Sequence, residues 1–438
     1  HEHLPGKYST EESFNRLMDI AREARKANNT VFVIWYWGIY SPFAALHGDV
    51  IFDIRLSMEA ASTGDYPALF FRDAVTQALD QGSQYARWVP PKNHDSLGIW
   101  LANNPWGNQM ETVRWQEGLI MDLARGNLLF PQVWSDIFNL EDHDVEFLAR
   151  IQGLVKRHER VFLTRRYTLG DAWKDEIYGY SYFDGGHGYL FLNNVSFDSR
   201  TAKLLLGERI GLRASKGQRL QMRLHHPLQA VLTRMGSASF TVGEEVGIHL
   251  RPFEVAMIEI APQAVAEGGL PPRELSEASS GYAYAVPIGE TTEASELEVH
   301  FADSEVLGSR GYRSRYHAFE GTLPAYANGR HQVAVVNTFH RQGRRWRQSQ
   351  MSKLVQAMAR VDGSIVEFTA TPDYRQTGNN QWNPWIVFSA PLPAAFAGKP
   401  IQFGIASYLP EDVETSTKLW VIKEWWKPRM RPLPNYWI

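Results

Sequence analysis

The stretch Val31-Phe-Val-Ile-Trp-Tyr-Trp37 decides how the first part of this chain folds. It is a continuous apolar run of β-branched and aromatic residues, and Gly38 ends it. An unbroken run of this kind is typical of a strand buried on both faces, as in a parallel sheet whose faces are covered by helices. We therefore predict a parallel strand here.

The residues before this strand have helical spacing. Ser9 and Glu12 stand three residues apart, which is the spacing of a capping box at a helix start. The apolar positions that follow recur at intervals of three and four, which places them on one face of a helix: Phe14, Leu17, Met18 and Ala21. The pattern predicts a helix over residues 9–27.

The alternation of strand and helix continues to residue 160. Further apolar runs predict strands at 51–59, 97–102 and 128–134, with helices over 71–85, over 111–124 and from about residue 139. Such alternation is typical of a parallel sheet with helical crossovers. Four strands amount to half of an eight-stranded barrel. An open doubly wound sheet is the alternative, but no Gly-rich phosphate loop supports a nucleotide-binding version.

Beyond residue 160 the sequence changes to short alternating strands separated by turn residues, as in antiparallel sandwiches. The predicted strands are 189–193, 220–224, 238–242, 255–260, 298–301, 331–336, 364–369, 385–388 and 401–405. The predicted fold class is thus α/β plus all-β: four strand–helix units over 1–160, half the number in a (β/α)₈ barrel, followed by two antiparallel β-sandwich domains. These span 161–262 and 281–438, the second jelly-roll-like, and a linker rich in Ala, Pro, Gly, Glu and Ser joins them over 263–280.

Composition excludes several classes of function. The 438 residues carry a formal net charge of −3, so we expect no nucleic-acid partner. The absence of cysteine excludes disulfides, thiolate metal sites and cysteine nucleophiles. No apolar run reaches the length of a membrane span. We expect a soluble protein with an extracellular or periplasmic location.

Aromatic residues are abundant, with 15 Trp, 18 Tyr and 22 Phe. Their flat apolar faces stack on sugar rings, but large β-sandwich cores also use many aromatics. Composition alone leaves both interpretations open.

Several motifs within residues 1–260 resemble the C-terminal portion of α-galactosidase-like, retaining (β/α)₈-barrel glycoside hydrolases. Trp35-Tyr-Trp-Gly38 is similar to the end of barrel strand five, and Met58-Glu-Ala-Ala-Ser-Thr-Gly-Asp65 is similar to the loop after strand six. Val133-Trp-Ser-Asp136 resembles the end of strand eight, and Leu250-Arg-Pro-Phe-Glu-Val-Ala-Met-Ile-Glu-Ile260 resembles the last strand of the β domain. The resemblance implies a carbohydrate substrate and no cofactor.

The resemblance also implies an acid/base aspartate after strand six. The family has an Arg two residues before this Asp, whereas Thr63 stands before Asp65, and an Arg-Asp pair follows as Arg72-Asp73. Asp65 and Asp73 therefore both stand as catalytic candidates, and a helix cap or a surface ion pair is the alternative for each. The remaining candidates are substrate-binding residues: Glu59, Arg72, Trp35, Trp37, Asn103, Trp106, Trp134 and Asp136. For Asp136 the alternative is a helix cap, and for each Trp it is core packing.

In this family the nucleophilic Asp follows strand four. The resemblance therefore implies that a preceding segment or a second polypeptide supplies the first half of the barrel. The alternative is a non-catalytic carbohydrate-binding or surface structural protein with a hydrolase-like fold.

The histidines show no spacing typical of a metal site, so we predict structural roles for His94, His143 and the pair His225-His226. In the last domain, Trp382, Trp385 and Trp425-Trp426 are compatible with a carbohydrate-binding platform or with a domain interface. The tail over 426–438 is predicted to cross a neighbouring domain or subunit, which leaves an oligomer open.

Overall fold

The computed structural model describes most of the second half of the chain and shorter parts of the first. The described residues are 6–35, 46–52, 90–95, 99–100, 115–126, 133–134, 140–170, 176–194, 199–251, 254–262, 269–277, 285–294, 311–326, 331–346, 348–349, 351–370, 382–383 and 385–423. Within them the chain is mostly β structure, with few helices.

The first part combines helices with short parallel strands: α1 (Gly6–Ala27), β1 (Ile34–Trp35), β2 (Val50–Phe52), β3 (His94–Asp95), β4 (Ile99–Trp100), α2 (Trp115–Arg125), β5 (Val133–Trp134) and α3 (Asp142–Arg157). β1 pairs in parallel with β2, and β2 pairs in parallel with β3. β4 and β5 form a second parallel pair. Each of these strands therefore pairs with a neighbour in chain order.

These elements confirm most of the local predictions for residues 1–160. The three described helices overlap the predicted helices at 9–27, at 111–124 and from about 139. Each predicted strand overlaps an observed one, although the observed strands are shorter. β3 was not predicted, because its residues His94 and Asp95 are polar, yet both are buried. The predicted helix over 71–85 lies outside the described residues.

An antiparallel β region follows: β6 (Arg165–Leu169), β7 (Tyr178–Asp184), β8 (His187–Asn193), β9 (Arg200–Leu205), β10 (Arg219–His226), β11 (Ala230–Thr233), β12 (Phe240–Thr241), β13 (Glu245–Leu250), β14 (Val255–Pro262) and β15 (Pro272–Glu274). Its 8-stranded sheet has the order β15-β11-β10-β14-β8-β7-β6, with β12 beside β10. β9 and β13 form a separate 2-stranded sheet. The predicted strands at 189–193, 220–224, 238–242 and 255–260 are confirmed.

Both faces of the large sheet are covered, which explains why β7 and β8 are almost wholly buried. Tyr182 and Phe191 point to one face and pack with Leu119 of α2 and Ile151 of α3. Leu190 and the other alternate residues pack on the opposite face with β9 and β13. α2, α3 and this sheet thus share one core.

β15 lies within the predicted linker over 263–280. Its residues pair in parallel with β11, and the following Leu275 is buried in the core. A buried ion pair holds this strand, since Arg273 contacts the fully buried Glu254 at 3.4 Å. Residues 272–275 therefore belong to the sheet, although their composition is typical of a linker.

The C-terminal part is built around two large sheets that pack face to face. Its elements are β16 (Ala285–Glu290), β17 (Thr292–Glu293), β18 (Tyr312–Thr322), β19 (His331–Arg341), β20 (Arg344–Arg345), β21 (Gln348–Ser349), α4 (Met351–Leu354), β22 (Val355–Val361), β23 (Ser364–Val366), β24 (Thr369–Ala370), β25 (Trp382–Asn383), β26 (Trp385–Leu392), β27 (Pro400–Pro410) and β28 (Glu414–Lys423). The 6-stranded sheet has the order β16-β28-β19-β26-β24, with β20 beside β19, and the 5-stranded sheet has the order β17-β18-β27-β22-β23. β21 and β25 form a separate 2-stranded sheet. Their facing apolar residues form one core that includes Val335, Phe403 and Leu419.

Four of the five strands predicted for this part are confirmed, and the fifth, at 298–301, lies outside the described residues. The tail over 426–438 also lies outside them. Short 3₁₀ turns complete the described structure: Pro91–Asn93, Val161–Leu163, Glu208–Ile210 and Ala394–Phe396. Among the described helices, none combines the length and apolar character needed to cross a lipid bilayer.

Candidate functional site

Most of the predicted sugar-site residues lie outside the described part of the chain. This holds for Trp37, Glu59, Asp65, Arg72, Asp73, Asn103, Trp106 and Asp136. Trp134 is the last residue of β5, and its side chain is likewise outside the described part. The assignments of these residues stay predictions.

Trp35 is the predicted site residue whose side chain is described. It is 6% exposed and packs with Met18, Ala21 and Ile51. Gly48 lies against its indole ring so closely that a Cβ atom there would collide with the ring. These contacts are those of a core residue between α1 and the parallel strands.

The ends of the strands in a parallel sheet lie at a common edge. Several of the predicted site residues stand at or after such strand ends in the sequence. Trp35 of β1 is opposite Ile51 of β2, and Trp100 of β4 is opposite Trp134 of β5. Trp37 and Glu59 follow the ends of β1 and β2, while Trp106 and Asp136 follow the ends of β4 and β5.

A cluster of three histidines and one glutamate lies at the junction of α3 and the large sheet. We call it the His–Glu cluster, and it consists of His158, His187, His225 and Glu259. His158 directly follows α3, and its backbone N–H closes the last helical turn on Leu154 and Val155. The other three side chains come from β8, β10 and β14, which are neighbours in the large sheet.

Strand register brings the sheet residues of the cluster together. In the central strand β14, Glu259 lies opposite Tyr189 of β8 and opposite Arg223 of β10. Side chains that are opposite each other on adjacent strands point to the same face. His187 lies two residues from Tyr189, on this same face. His225 lies where the register between β10 and β14 shifts, and both histidines reach the Glu259 carboxylate.

The Glu259 carboxylate accepts a hydrogen bond on each oxygen. His187 Nε2 donates to Oε1 at 2.7 Å, and His225 Nε2 donates to Oε2 at 2.9 Å. The rings of His158 and His187 meet edge to face, with their centroids 4.6 Å apart. Tyr189 forms the floor of the cluster, because its fully buried ring contacts His158, His187 and His225.

The electrostatics of the cluster favour an ionised Glu259 and an uncharged His158. Burial alone would raise the pKa of Glu259, but hydrogen bonds and charge from His187 and His225 hold it well below its usual range. Burial lowers the pKa of His158, and the neighbouring His187 lowers it further, against the opposing effect of Glu259. Burial and the Glu259 carboxylate raise the pKa of the Tyr189 phenol. A carboxylate beside neutral imidazole is a set of electron-pair donors suited to a cation.

Sequence reasoning missed this cluster for a physical reason. Its members are separated by 29, 38 and 34 residues along the chain (158 to 187, 187 to 225, 225 to 259), so no local spacing marks them. The structural role predicted for His225 was based on its local sequence, in which His226 is its neighbour. A polar Glu259 in the apolar strand Val255–Pro262 was the available signal, because a charge at a sheet position facing a core needs partners.

A second group of buried polar residues lies beside α2. His94 is 3% exposed, and its Nδ1 contacts the carbonyl oxygen of Gly126 at 2.9 Å. Burial lowers the pKa of His94 to about 4, with help from the charges of Arg165 and Arg125. Arg125 itself pairs with the buried Asp122 one turn earlier. Within this group the charges of Asp122 and Arg125 pair inside the core. His94 is neutral at neutral pH, because its pKa is lowered to about 4.

Comparisons with known proteins give distant structural similarity. No protein-family profile and no curated protein sequence matches the chain. A β-L-arabinopyranosidase from Geobacillus stearothermophilus aligns at 11% identity over 57% of this chain and 55% of its own, with a TM-score of 0.36. An α-amylase from Geobacillus thermoleovorans, complexed with acarbose, aligns at 13% identity over 56% of this chain and 57% of its own, with a TM-score of 0.36.

The BuGH86 protein in complex with neoagarooctaose aligns over more of the chain, covering 92% of it and 66% of its own length, at 12% identity and a TM-score of 0.27. The chain spans about half the length of the first two structures. Scores this low do not assign a fold or a function, so a functional argument has to be made from the residues of this chain.

Proposed function

We propose that this chain belongs to a glycoside hydrolase that acts on α-galactoside-like or related glycans by a retaining two-carboxylate mechanism. In this proposal residues 1–160 are the second half of a (β/α)₈ barrel. Residues 161–262 and 281–438 are two β-sandwich domains, and the last one contacts glycan or packs against a neighbouring domain or subunit.

The observation that carries the proposal is the order of the parallel strands. β1, β2 and β3 pair successively, and β4, which begins four residues after β3 ends, pairs with β5. Pairing in chain order is how a (β/α)₈ barrel is built, and consecutive strands on one side of the switch point of a doubly wound sheet also pair in this way. The resemblance of the strand-end motifs to α-galactosidase-like barrels, together with a sequence that has no Gly-rich phosphate loop, favours the barrel over the open-sheet alternative.

The chemistry requires two carboxyl groups on opposite sides of the glycosidic bond. In a retaining enzyme they lie about 5–5.5 Å apart; one attacks the anomeric carbon and the other protonates the leaving oxygen. The acid has to stay protonated near neutral pH, which needs an apolar or like-charged environment. We assign the acid/base role to Asp65 or Asp73, both of which follow β2 in the chain, and assign sugar-hydroxyl contacts to Glu59 and Asp136.

The nucleophile belongs to strands that precede this stretch in the proposed barrel. In this proposal β3 and β4, which lie four residues apart, belong to one barrel strand, so β1 to β5 supply four of the eight strands. The proposal therefore includes a preceding segment or a partner polypeptide that supplies the other four strands and the nucleophilic Asp. Intact mass and peptide mapping of native material identifies such a partner directly.

The test is hydrolysis of a nitrophenyl α-galactoside by the assembled protein and by its Asp65→Asn and Asp73→Asn variants. Loss of general acid catalysis lowers kcat by roughly 100- to 10,000-fold, and we expect this loss in one of the two variants. Asp80→Asn is the matched control, since Asp80 falls in the predicted helix over 71–85 and is expected to keep full activity.

Retention of full activity by both variants would overturn the assignment of the acid. Glycan binding without hydrolysis by the assembled protein would instead support a non-catalytic carbohydrate-binding protein. Proton NMR of the first-formed product separates retention from inversion, and an inverted product would contradict the proposed mechanism.

A further inference from the structure

We propose that His158, His187 and Glu259 form a binding site for a divalent transition metal, and that zinc is the ion that suits this set best. The proposal is independent of the glycoside hydrolase assignment, because these residues lie on α3 and the antiparallel sheet and none of them is a predicted sugar-site residue.

The geometry gathers three ligand atoms at one point. One nitrogen from each histidine and one oxygen of Glu259 lie within 4.8 Å of one another. Zinc binds histidine nitrogen and carboxylate oxygen at about 2.0–2.2 Å, so the ligand atoms need only small side-chain movements to reach these distances from one ion. The His158 side chain supplies this movement by rotation, since it is half-buried at the end of α3.

The donor set selects among cations. Calcium and magnesium take oxygen ligands, so a site with two imidazoles and one carboxylate disfavours them. Imidazole suits zinc, copper, nickel and cobalt, and three protein ligands leave a fourth zinc position for water. Among these ions, zinc has no geometric preference from its d-electrons, which suits a site whose ligands are set by strand register.

A metal needs deprotonated donors, so its binding releases a proton from this site. The Nε2 proton that His187 shares with Oε1 of Glu259 leaves when the metal takes its place. That 2.7 Å contact is then replaced by two metal–ligand bonds.

His225 is assigned as a positioning residue. Its Nε2 donates to Oε2 of Glu259, the oxygen that His187 does not contact, and this bond fixes the orientation of the carboxylate. Carboxylates that ligate a metal are usually oriented in this way by a second hydrogen bond, whose loss costs about 10- to 100-fold in metal affinity.

The metal joins two parts of the molecule. His158 ends α3, whereas His187 and Glu259 belong to adjacent strands of the large sheet. An ion held by all three therefore links the last helix of the first part to the sheet, and it stabilises the folded chain by mass action because the unfolded chain lacks the site.

The experiment uses the full chain, stripped with a chelator and titrated with zinc chloride by calorimetry, with metal content measured after dialysis. We expect one zinc per chain and a melting temperature that rises with zinc concentration. His158→Ala, His187→Ala and Glu259→Gln are each expected to lower the affinity by about 100-fold or more, since a direct ligand contributes at least as much as a residue that only orients a ligand.

Two matched variants separate the site from general zinc binding by histidine. His249→Ala removes a histidine of β13 that contacts Thr201 instead, and it is expected to bind zinc like the wild type. His225→Ala is expected to weaken binding about 10- to 100-fold, whereas His225→Gln keeps a donor for Glu259 and recovers most of the affinity.

Substitution with cobalt gives a readout that a purely structural cluster does not. A four-coordinate cobalt site has a strong visible absorption, which we expect in the wild type and not in His187→Ala. Zinc binding that is absent, or unchanged in His158→Ala and His187→Ala variants that retain the wild-type circular dichroism, would overturn the proposal.

Discussion

His94 shows how burial sets the charge of a side chain in this protein. It lies on β3, is almost fully buried, and contacts Gly126 through Nδ1. Its Nε2 atom has no hydrogen-bond partner among the described residues. A second proton on this ring would bring an extra charge into the core beside Arg165 and Arg125, and burial with these charges lowers its pKa from 6.5 to about 4.

This shift predicts how stability depends on pH. Between pH 6.5 and 4 the unfolded chain binds a proton on His94 that the folded chain does not bind. The contribution of neutral His94 to stability is therefore fully present above pH 6.5. The free energy of unfolding decreases as the pH falls toward 4, by on the order of 3 kcal/mol in total. Urea denaturation at several pH values measures this slope. His94→Gln should flatten it and His249→Gln should not; equal slopes in all three proteins would contradict the prediction.

A second prediction at the residue scale concerns the ion pair of Glu254 and Arg273. Both side chains are buried, and the carboxylate also accepts the backbone N–H of Arg251. Arg273→Met leaves a buried charge without its partner, which costs roughly 3–5 kcal/mol. The double variant with Glu254→Gln should recover much of this loss, because Gln keeps an acceptor and carries no charge. Chemical denaturation of the two variants checks this, and equal stabilities would contradict it.

At the scale of elements, a tyrosine of β7 caps the end of α2. The last carbonyl groups of a helix lack intrahelical partners. The Tyr182 hydroxyl donates to the carbonyl oxygen of Ala124 at 3.0 Å and lies 3.4 Å from that of Leu123. A strand of the large sheet thus supplies the hydrogen bond that the helix end needs.

Tyr182→Phe tests this contact, since it removes one hydroxyl and leaves the ring in place. We expect a loss of about 1–3 kcal/mol in the free energy of unfolding, because buried carbonyl groups lose their donor. Tyr167→Phe is the control, as Tyr167 is 43% exposed on β6. A loss of similar size in the control would show that the hydroxyl of Tyr182 has no special role.

Element-scale comparison also shows how much of the structure the sequence could predict. β14 and β8 were predicted because their apolar residues form clear runs, and α1 was predicted from its single apolar stripe. β7 was missed because Tyr178, Gly179, Tyr180 and Ser181 do not form an apolar run, although all four are buried. β9 was missed because Arg200 and Lys203 make the segment polar in sequence, although its residues alternate between buried and exposed positions.

The candidate site was harder to predict than the fold, for a related reason. Residues after parallel strands were accessible to sequence reasoning because strand ends share an edge. The His–Glu cluster depends on the pairing of β10, β14 and β8 and on the position of the end of α3, which are contacts between distant parts of the chain. The residues next to Glu259 in the sequence do not indicate which side chains contact it.

At the scale of the whole molecule, the cores predict which parts unfold together. Leu119 of α2 and Leu190 of β8 lie on opposite sides of the same sheet, while Leu419 lies between the two C-terminal sheets. Each Leu→Ala change is expected to cost about 2–5 kcal/mol, since all three side chains are fully buried.

Differential scanning calorimetry should therefore resolve two transitions. Leu119→Ala and Leu190→Ala should lower the same one, because α2 and the large sheet share a core, while Leu419→Ala should lower the other. Separate responses to Leu119→Ala and Leu190→Ala would show that the first helices and the sheet unfold independently, contrary to this prediction.

The core between the two C-terminal sheets has a consequence for how this protein diversified. Among the described residues, that core is built from one continuous stretch of sequence, residues 288–421. A recombination event that moved this stretch into another gene would transfer a complete hydrophobic core. An event that separated α3 from β7 would divide the core that they share. Evolution is therefore expected to keep α3 and β7 together and to allow exchange of residues 288–421 as a unit.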